Sequence, residues 1–179
     1  MPETETTGAP PRRLIVLASV LALALAAGVA VAGVLGSRSG PSGNGPLALV
    51  PVPAPQADSP ECDRILAALP AELASDGTKL SRRELAQPAP PATVAWGSPE
   101  AVVVRCGLER PGDLTPTSSL RAVSGVQTLL AEGDGSSTWY VVDRAVYLGV
   151  TVPASAGTGP LQQLLETVSN TLPAVPLRL

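Results

Sequence analysis

Two cysteines are the residues of this chain with the clearest chemical potential. Cys62 and Cys106 are its only cysteines, and the chain contains no histidine. Without histidine, Ser-His and Cys-His dyads are excluded, and the commonest zinc ligand is missing. A reactive thiolate would need an electropositive, accessible site, but the adjacent Arg105 should point to the opposite side of its strand. In an oxidising compartment, a Cys62–Cys106 disulfide is the simplest use of the pair.

The other reactive residue types form no recognisable catalytic pattern. There is no G-x-S-x-G motif, and Lys79, the only lysine, sits in a polar turn without the S-x-x-K spacing. Glu132 and Asp134 lie in AEGDGSS, which lacks the spaced oxygen ligands of a calcium loop. We therefore predict no catalytic residue, no metal site and no cofactor. A pair of carboxylates that meet only in the folded protein stays open as an alternative.

Charge excludes one class of partner. The whole chain has a net charge of −3, and no stretch of Lys and Arg reaches the density of a nucleic-acid-binding patch. Residues 47–179 carry nine basic and thirteen acidic side chains, a net charge of −4, which argues against docking to an anionic lipid surface by charge.

An uncharged apolar segment spans residues 14–35, and Ser19 is its only polar side chain. As a helix, these residues would extend about 33 Å, enough to cross a hydrocarbon core of about 30 Å. Arg12 and Arg13 precede the segment, so the positive-inside rule predicts that residues 1–13 are cytoplasmic and that the C-terminal part is extracytoplasmic. We expect a single-pass signal-anchor at 14–35.

A cleaved signal peptide is the competing interpretation of the same segment, with Ala30–Ala32 as its A-x-A site. The protein would then be secreted. The apolar segment is long for a signal peptide, which favours the anchor. The Gly/Ser/Pro-rich residues 36–46 would form a flexible linker, and residues 47–179 would form the extracytoplasmic domain.

Two amphipathic helices are expected in this domain. Ser59 and Pro60 are good residues for a helix start, and the apolar stripe from Cys62 to Leu69 has helical spacing before Pro70. A second stripe runs through residues 160–172 and ends before a proline.

Short β-branched segments indicate an antiparallel sheet. In EAVVVRCGL, Val104 and Cys106 should share one face, with Arg105 on the other. The segment STWYVVDRAVYLGVTVP should form a hairpin around the loop 143–145, with Val142 opposite Val146. The fold class is thus α+β: an N-terminal transmembrane helix, then an antiparallel sheet with two amphipathic helices packed on one face.

Aromatic residues offer the main candidate for binding. Trp96 should pack at the edge of the core. The expected hairpin register places Tyr140 on the core side and groups Trp139, Val141 and Tyr147 on the other side. These three residues are either packed or form an exposed platform for a glycan, a peptide or a protein.

Three segments together resemble an actinobacterial family, the domain of unknown function 3515. They are LVPVPAPQADSPECDRILAALPAEL, LAQPAPPATVAWGSPEAVVVRCGLERPGDLTPTSSL and VYLGVTVP, within residues 47–175. The cysteine spacing, with AWG before VVVRCG, is specific to that family. The resemblance implies a single-pass or secreted envelope protein, and it transfers no catalytic residue.

These observations lead to one functional expectation and one alternative. We expect a membrane-anchored, non-enzymatic binding or assembly component of the cell envelope, with an envelope protein or a cell-wall component as its partner. The alternative is a cell-wall-directed hydrolase or transferase that uses paired carboxylates.

Overall fold

The computed structural model describes residues 45–178. The predicted cytoplasmic tail, the predicted transmembrane helix 14–35 and residues 36–44 of the predicted linker lie outside the described residues. Among residues 45–178, no helix is long and apolar enough to cross a membrane.

The described region contains two α-helices and eight β-strands. The elements are α1 (Pro60–Ala68), β1 (Glu72–Ser75), β2 (Thr78–Arg83), β3 (Thr93–Trp96), β4 (Val102–Leu108), β5 (Leu120–Val123), β6 (Val126–Gly133), β7 (Ser136–Val141), β8 (Tyr147–Pro153), a short 3₁₀ helix (Ala154–Ala156) and α2 (Gly159–Thr171).

All eight strands belong to one antiparallel sheet. Its order is β1-β2-β3-β4-β8-β7-β6-β5, so two four-stranded meanders meet where β4 pairs with β8. Both helices pack on the same face of this sheet, over a large apolar core. The predicted α+β class with an antiparallel sheet and two helices is confirmed.

Helix α1 begins and ends as its sequence predicts. The Ser59 hydroxyl accepts a hydrogen bond from the Cys62 amide at 3.3 Å, and Pro60 occupies the first turn. The helix ends at Ala68, and Pro70 follows closely. Its buried side chains, Cys62 and Ile65, face the sheet.

Helix α2 contributes most of the other side of the core. Leu161, Leu164, Leu165 and Val168 are buried at helical spacing, as the second apolar stripe predicts. The same helix also covers one sheet edge, because the Gln163 side chain accepts from the Ala74 amide and donates to the Ala74 carbonyl at the outer strand β1.

A disulfide joins Cys62 on α1 to Cys106 on β4, as the sequence predicts. Both residues are fully buried within the core. The bond connects residues 44 positions apart and so fixes α1 to the central part of the sheet.

The β7–β8 hairpin differs from its predicted register by one residue. Val141 pairs with Leu148 and Tyr140 with Gly149, so the loop contains residues 142–146 instead of three residues. The reason is bonding to the neighbouring strand β6. The Val142 amide donates to the Gln127 carbonyl at 3.1 Å, and the Asp143 carboxylate accepts from the Gln127 amide at 3.0 Å. These bonds hold Val142 against β6 and keep it from pairing with Val146.

Candidate functional site

The one-residue difference in register divides the predicted binding face. Trp139 and Val141 lie on the helix-covered face, where Val141 is fully buried and Trp139 packs against the core. Tyr147 lies on the opposite face, and it is also buried. A slip of one residue exchanges the two faces of a strand. Trp139, Val141 and Tyr147 therefore form no common exposed surface, and of the two alternatives, packing describes Val141 and Tyr147.

The two separated aromatic residues have local partners. The Trp139 indole nitrogen donates to the Ser137 hydroxyl at 3.1 Å, and the Arg121 guanidinium lies 5.8 Å from the ring centre. The Tyr147 hydroxyl donates to the Arg178 carbonyl at 3.0 Å, and the guanidinium of Arg178 lies 4.9 Å from the Tyr147 ring. These contacts tie both rings into the fold.

The opposite side of the sheet carries a different constellation. We call this side, which faces away from α1 and α2, the strap face. Arg105, Gly149 and Tyr140 are direct neighbours there on β4, β8 and β7. The space above Gly149 is filled by its neighbours, because a Cβ at this position would lie 2.9 Å from Leu108 Cδ1 and 3.6 Å from Tyr140 Cε1. Leu108 and Tyr140 thus meet above Gly149, and Arg105 is the neighbour of Gly149 on β4.

An extended segment crosses this face, and we call residues 47–56 the strap. Its first end is held by Leu47, whose amide donates to the Glu84 carbonyl at 2.8 Å. Its second end is held by Gln56, whose amide donates to the Gly107 carbonyl at 3.0 Å. Three prolines of the strap, Pro51, Pro53 and Pro55, have no amide hydrogen to donate. The strap is thus fixed mainly at its ends.

The middle of the strap exposes apolar side chains. Val50 is 78% exposed and Val52 is 39% exposed, and they are two of the three large exposed apolar residues of the described region. Between the two ends, the Val50 carbonyl accepts from Arg105 Nη2 at 3.2 Å. Exposed apolar side chains grouped on one surface are a feature of binding sites.

Arg105 is the unusual charged residue of this face. Its Nε is buried and has no hydrogen-bond partner, and none of the ion pairs within residues 45–178 includes its guanidinium. Burial lowers the pKa of Arg105, and the neighbouring Tyr140 hydroxyl opposes that shift. A native protein seldom leaves a buried donor without a partner, so this one calls for an explanation.

A groove of about 190 Å³ lies beside the strap. Val52, Pro53 and Leu108 form its apolar walls, and Tyr140 also lines it. Glu109 and Asp113, both exposed, add negative charge to the lining. On the same face, the Thr138 and Thr151 hydroxyls are joined by a hydrogen bond of 2.9 Å. The groove thus offers apolar contacts to a ligand, and the two hydroxyls offer hydrogen bonds.

A larger groove of about 500 Å³ borders β2, and its arginines already serve the fold. Arg83 donates to the carbonyls of Gly45 and Pro99. Arg82 donates to the Leu69 carbonyl at 2.7 Å and lies 5.5 Å from the Trp96 ring centre. The Nε atoms of both arginines donate to backbone carbonyls, whereas Arg105 Nε has no partner. The strap face, which carries the smaller groove and, outside the lining of that groove, Arg105, is therefore the better candidate site.

The sequence predicted the position of Arg105 correctly and that of Tyr140 incorrectly. It placed Arg105 on the face opposite Cys106, which the pairing of β4 confirms. It placed Tyr140 in the main core, which is wrong because the register differs by one residue. The available signal was Gly149, since a glycine inside an apolar strand often marks a close approach by a neighbouring group.

Comparison with known proteins gives a family and no function. No curated protein and no solved structure matches the chain. The family described as protein of unknown function (DUF3515) matches residues 19–177, which include all the strands and helices described above. The chain therefore belongs to the DUF3515 family.

Proposed function

We propose that this protein is a membrane-anchored component of the cell envelope that binds a partner through its strap face. The partner is an envelope protein or a cell-wall component. The observation that carries the binding role is Arg105, a half-buried cation with an unpartnered Nε beside exposed apolar residues of the strap. The apolar segment 14–35 supports the anchor, and the buried disulfide suits an oxidising compartment.

The anchor is tested by membrane fractionation and intact mass. The full chain should stay in the membrane pellet after an alkaline carbonate wash, and its mass should include residues 14–35. External protease should degrade the C-terminal domain in intact spheroplasts and leave an epitope tag at the N-terminus protected. A mature protein that begins after Ala32 and appears in the medium would instead support the secreted form.

The binding role is tested by site-specific photo-crosslinking in living cells. A photoreactive residue is placed on the strap face, at Val52 or Thr138, and at two control positions on the exposed side of α2, Gln162 and Glu166. We expect discrete crosslinked products from the strap face and none from α2. Equal crosslinking from both faces would contradict a specific site.

The hydrolase or transferase alternative has one observation in its favour, because two carboxylates, Glu109 and Asp113, line the smaller groove. If these acids perform chemistry, E109Q or D113N would abolish turnover of isolated cell-wall material and leave the strap-face crosslinks in place. If the protein only binds, no such turnover exists to be lost.

A further inference from the structure

We propose that Arg105 is the receptor for a carboxylate group of the partner, and that the Val50 carbonyl of the strap occupies this position until the partner arrives. The inference rests on the proposed binding function, and it adds the chemical class of the ligand and the movement that admits it.

The geometry of the guanidinium supports a ligand with two oxygen atoms. Nε and Nη2 form one edge of the group, and their hydrogens point in the same direction, so this edge matches the two oxygens of a carboxylate. In the structure, Nη2 donates to the Val50 carbonyl at 3.2 Å and Nε has no partner. A single carbonyl oxygen satisfies only half of the edge. A carboxylate in its place would accept from both nitrogens.

The charge of Arg105 points to an anionic ligand. The charged guanidinium is half-buried, and no acidic side chain of the described region forms an ion pair with it. Its partner in the structure, a neutral carbonyl, carries no negative charge, whereas a carboxylate would add a charge–charge attraction to the hydrogen bonds. An incoming carboxylate would compensate the charge that burial destabilises.

The groove favours a carboxylate over a phosphate. Glu109 and Asp113 line it and would repel a doubly charged phosphate more than a singly charged carboxylate. Arg105 is not part of the groove lining, but Tyr140 lines the groove and is separated from Arg105 only by Gly149 in the sheet. The walls formed by Pro53 and Leu108 would contact an aliphatic group attached to the carboxylate. The ligand class is therefore a carboxylate carried on a small apolar group, such as an acidic side chain or the free C-terminus of a peptide.

The strap is built in a way that allows its middle to move. Nε is buried, and the neighbouring Nη2 is bonded to the Val50 carbonyl, so we infer that a ligand reaches this edge when the segment near Val50 is displaced. The Val50 and Val52 side chains are exposed, so lifting them removes little apolar contact area from the fold. The bonds of Leu47 and Gln56 hold both ends. The strap can thus open in the middle and remain attached.

The experiment uses the isotope-labelled full chain in detergent micelles and two small probes. N-acetylalanine carries a carboxylate, and N-acetylalanine amide is its neutral counterpart of the same shape. The Arg Nε–Hε signals are recorded by NMR, and R105K identifies the signal of Arg105. We expect the acid, and not the amide, to shift this signal saturably, together with the backbone amides of Val50 and Val52.

Two variants refine the result. R105K should weaken binding of the acid at least about tenfold, since an ammonium cannot form the two-nitrogen contact. R64K is the matched control, because Arg64 lies on the exposed side of α1, and its affinity should equal that of the wild type. P51G loosens the strap and should tighten binding a few-fold while it leaves Arg105 intact.

Several results would overturn the inference. Equal shifts from the acid and the amide would show that the carboxylate is not recognised, and this comparison needs only the wild-type protein. Shifts that spare Arg105 would place the probe elsewhere. Failure of this inference can be distinguished from failure of the proposed function. Strap-face crosslinks that persist in R105K cells would support the binding role and contradict a carboxylate receptor at Arg105. Binding of the acid without crosslinks would show the reverse.

Discussion

Replacement of Gly107 by alanine should destabilise the fold by more than backbone strain alone. Gly107 has φ of +78°, and it is the extra residue of a bulge in β4, between Cys106 and Leu108. A Cβ at this position would overlap backbone atoms of Gln56 and Ala57, where the strap ends and the chain turns toward α1. Those atoms belong to the main chain, so no side-chain rotation can make room.

The expected loss of unfolding free energy has two contributions, and a matched variant separates them. A left-handed conformation costs an alanine about 1–2 kcal/mol, and steric overpacking adds about 1–3 kcal/mol. We expect G107A to lower the free energy of unfolding by about 2–5 kcal/mol. Gly77 has φ of +81° and nothing within 4 Å of its potential Cβ, so G77A should show only the backbone part, about 1–2 kcal/mol.

The assay is equilibrium unfolding of the oxidised full chain in denaturant, followed by tryptophan fluorescence. Trp96 is fully buried and reports on the core. Hydrogen exchange gives a local readout, because G107A should remove the protection of the Gln56 amide, whose partner is the Gly107 carbonyl. If G107A were no more destabilising than G77A, the close approach of the strap end to β4 would be refuted.

Two further changes test the covalent and ionic links of the domain. The double variant C62S/C106S removes the disulfide between residues 44 positions apart and should lower the unfolding free energy by about 4 kcal/mol. An unchanged denaturation midpoint would contradict a stabilising disulfide. D143N removes the charged partner of the buried Arg144. The Arg144 Nη1 lies 2.7 Å from an Asp143 carboxylate oxygen, without hydrogen-bond geometry. Loss of this buried ion pair should lower the unfolding free energy by about 3–5 kcal/mol. The exposed ion pair between Glu61 and Arg64 is the control. E61Q should lower the unfolding free energy by at most about 1 kcal/mol in the same measurement.

Local signals predicted the helices and the disulfide well. The Ser59 cap, Pro60 and Pro70 define α1 by interactions between near neighbours, so a sequence contains almost all of the relevant information. The disulfide followed from the presence of two cysteines on separate core-facing patterns. Both predictions depend on residue types, and neither requires knowledge of which strand pairs with which.

The candidate site was harder to predict because it depends on contacts between residues that are far apart in the sequence. The register of β7 and β8 is determined by bonds from Val142 and Asp143 to Gln127, in a different hairpin. A pattern of alternating residues cannot show such bonds, and a shift of one residue moved Tyr140 from the predicted core to the strap face. Likewise, the position of the proline-rich strap over Arg105 is a tertiary property, which depends on a contact between residues far apart in the sequence.

The pairing of β4 with β8 has a consequence for the order in which the protein can assemble. Both cysteines precede β5, so they leave the ribosome before any strand of the second meander exists. Until residues 147–153 emerge, β4 has no neighbour on one side, and its backbone groups are open to other chains. Pairing between segments so far apart is slow compared with closure of a hairpin. A disulfide formed early would hold α1 on the face of the unfinished sheet during this interval and so would keep the core side of β4 covered before β8 pairs with it.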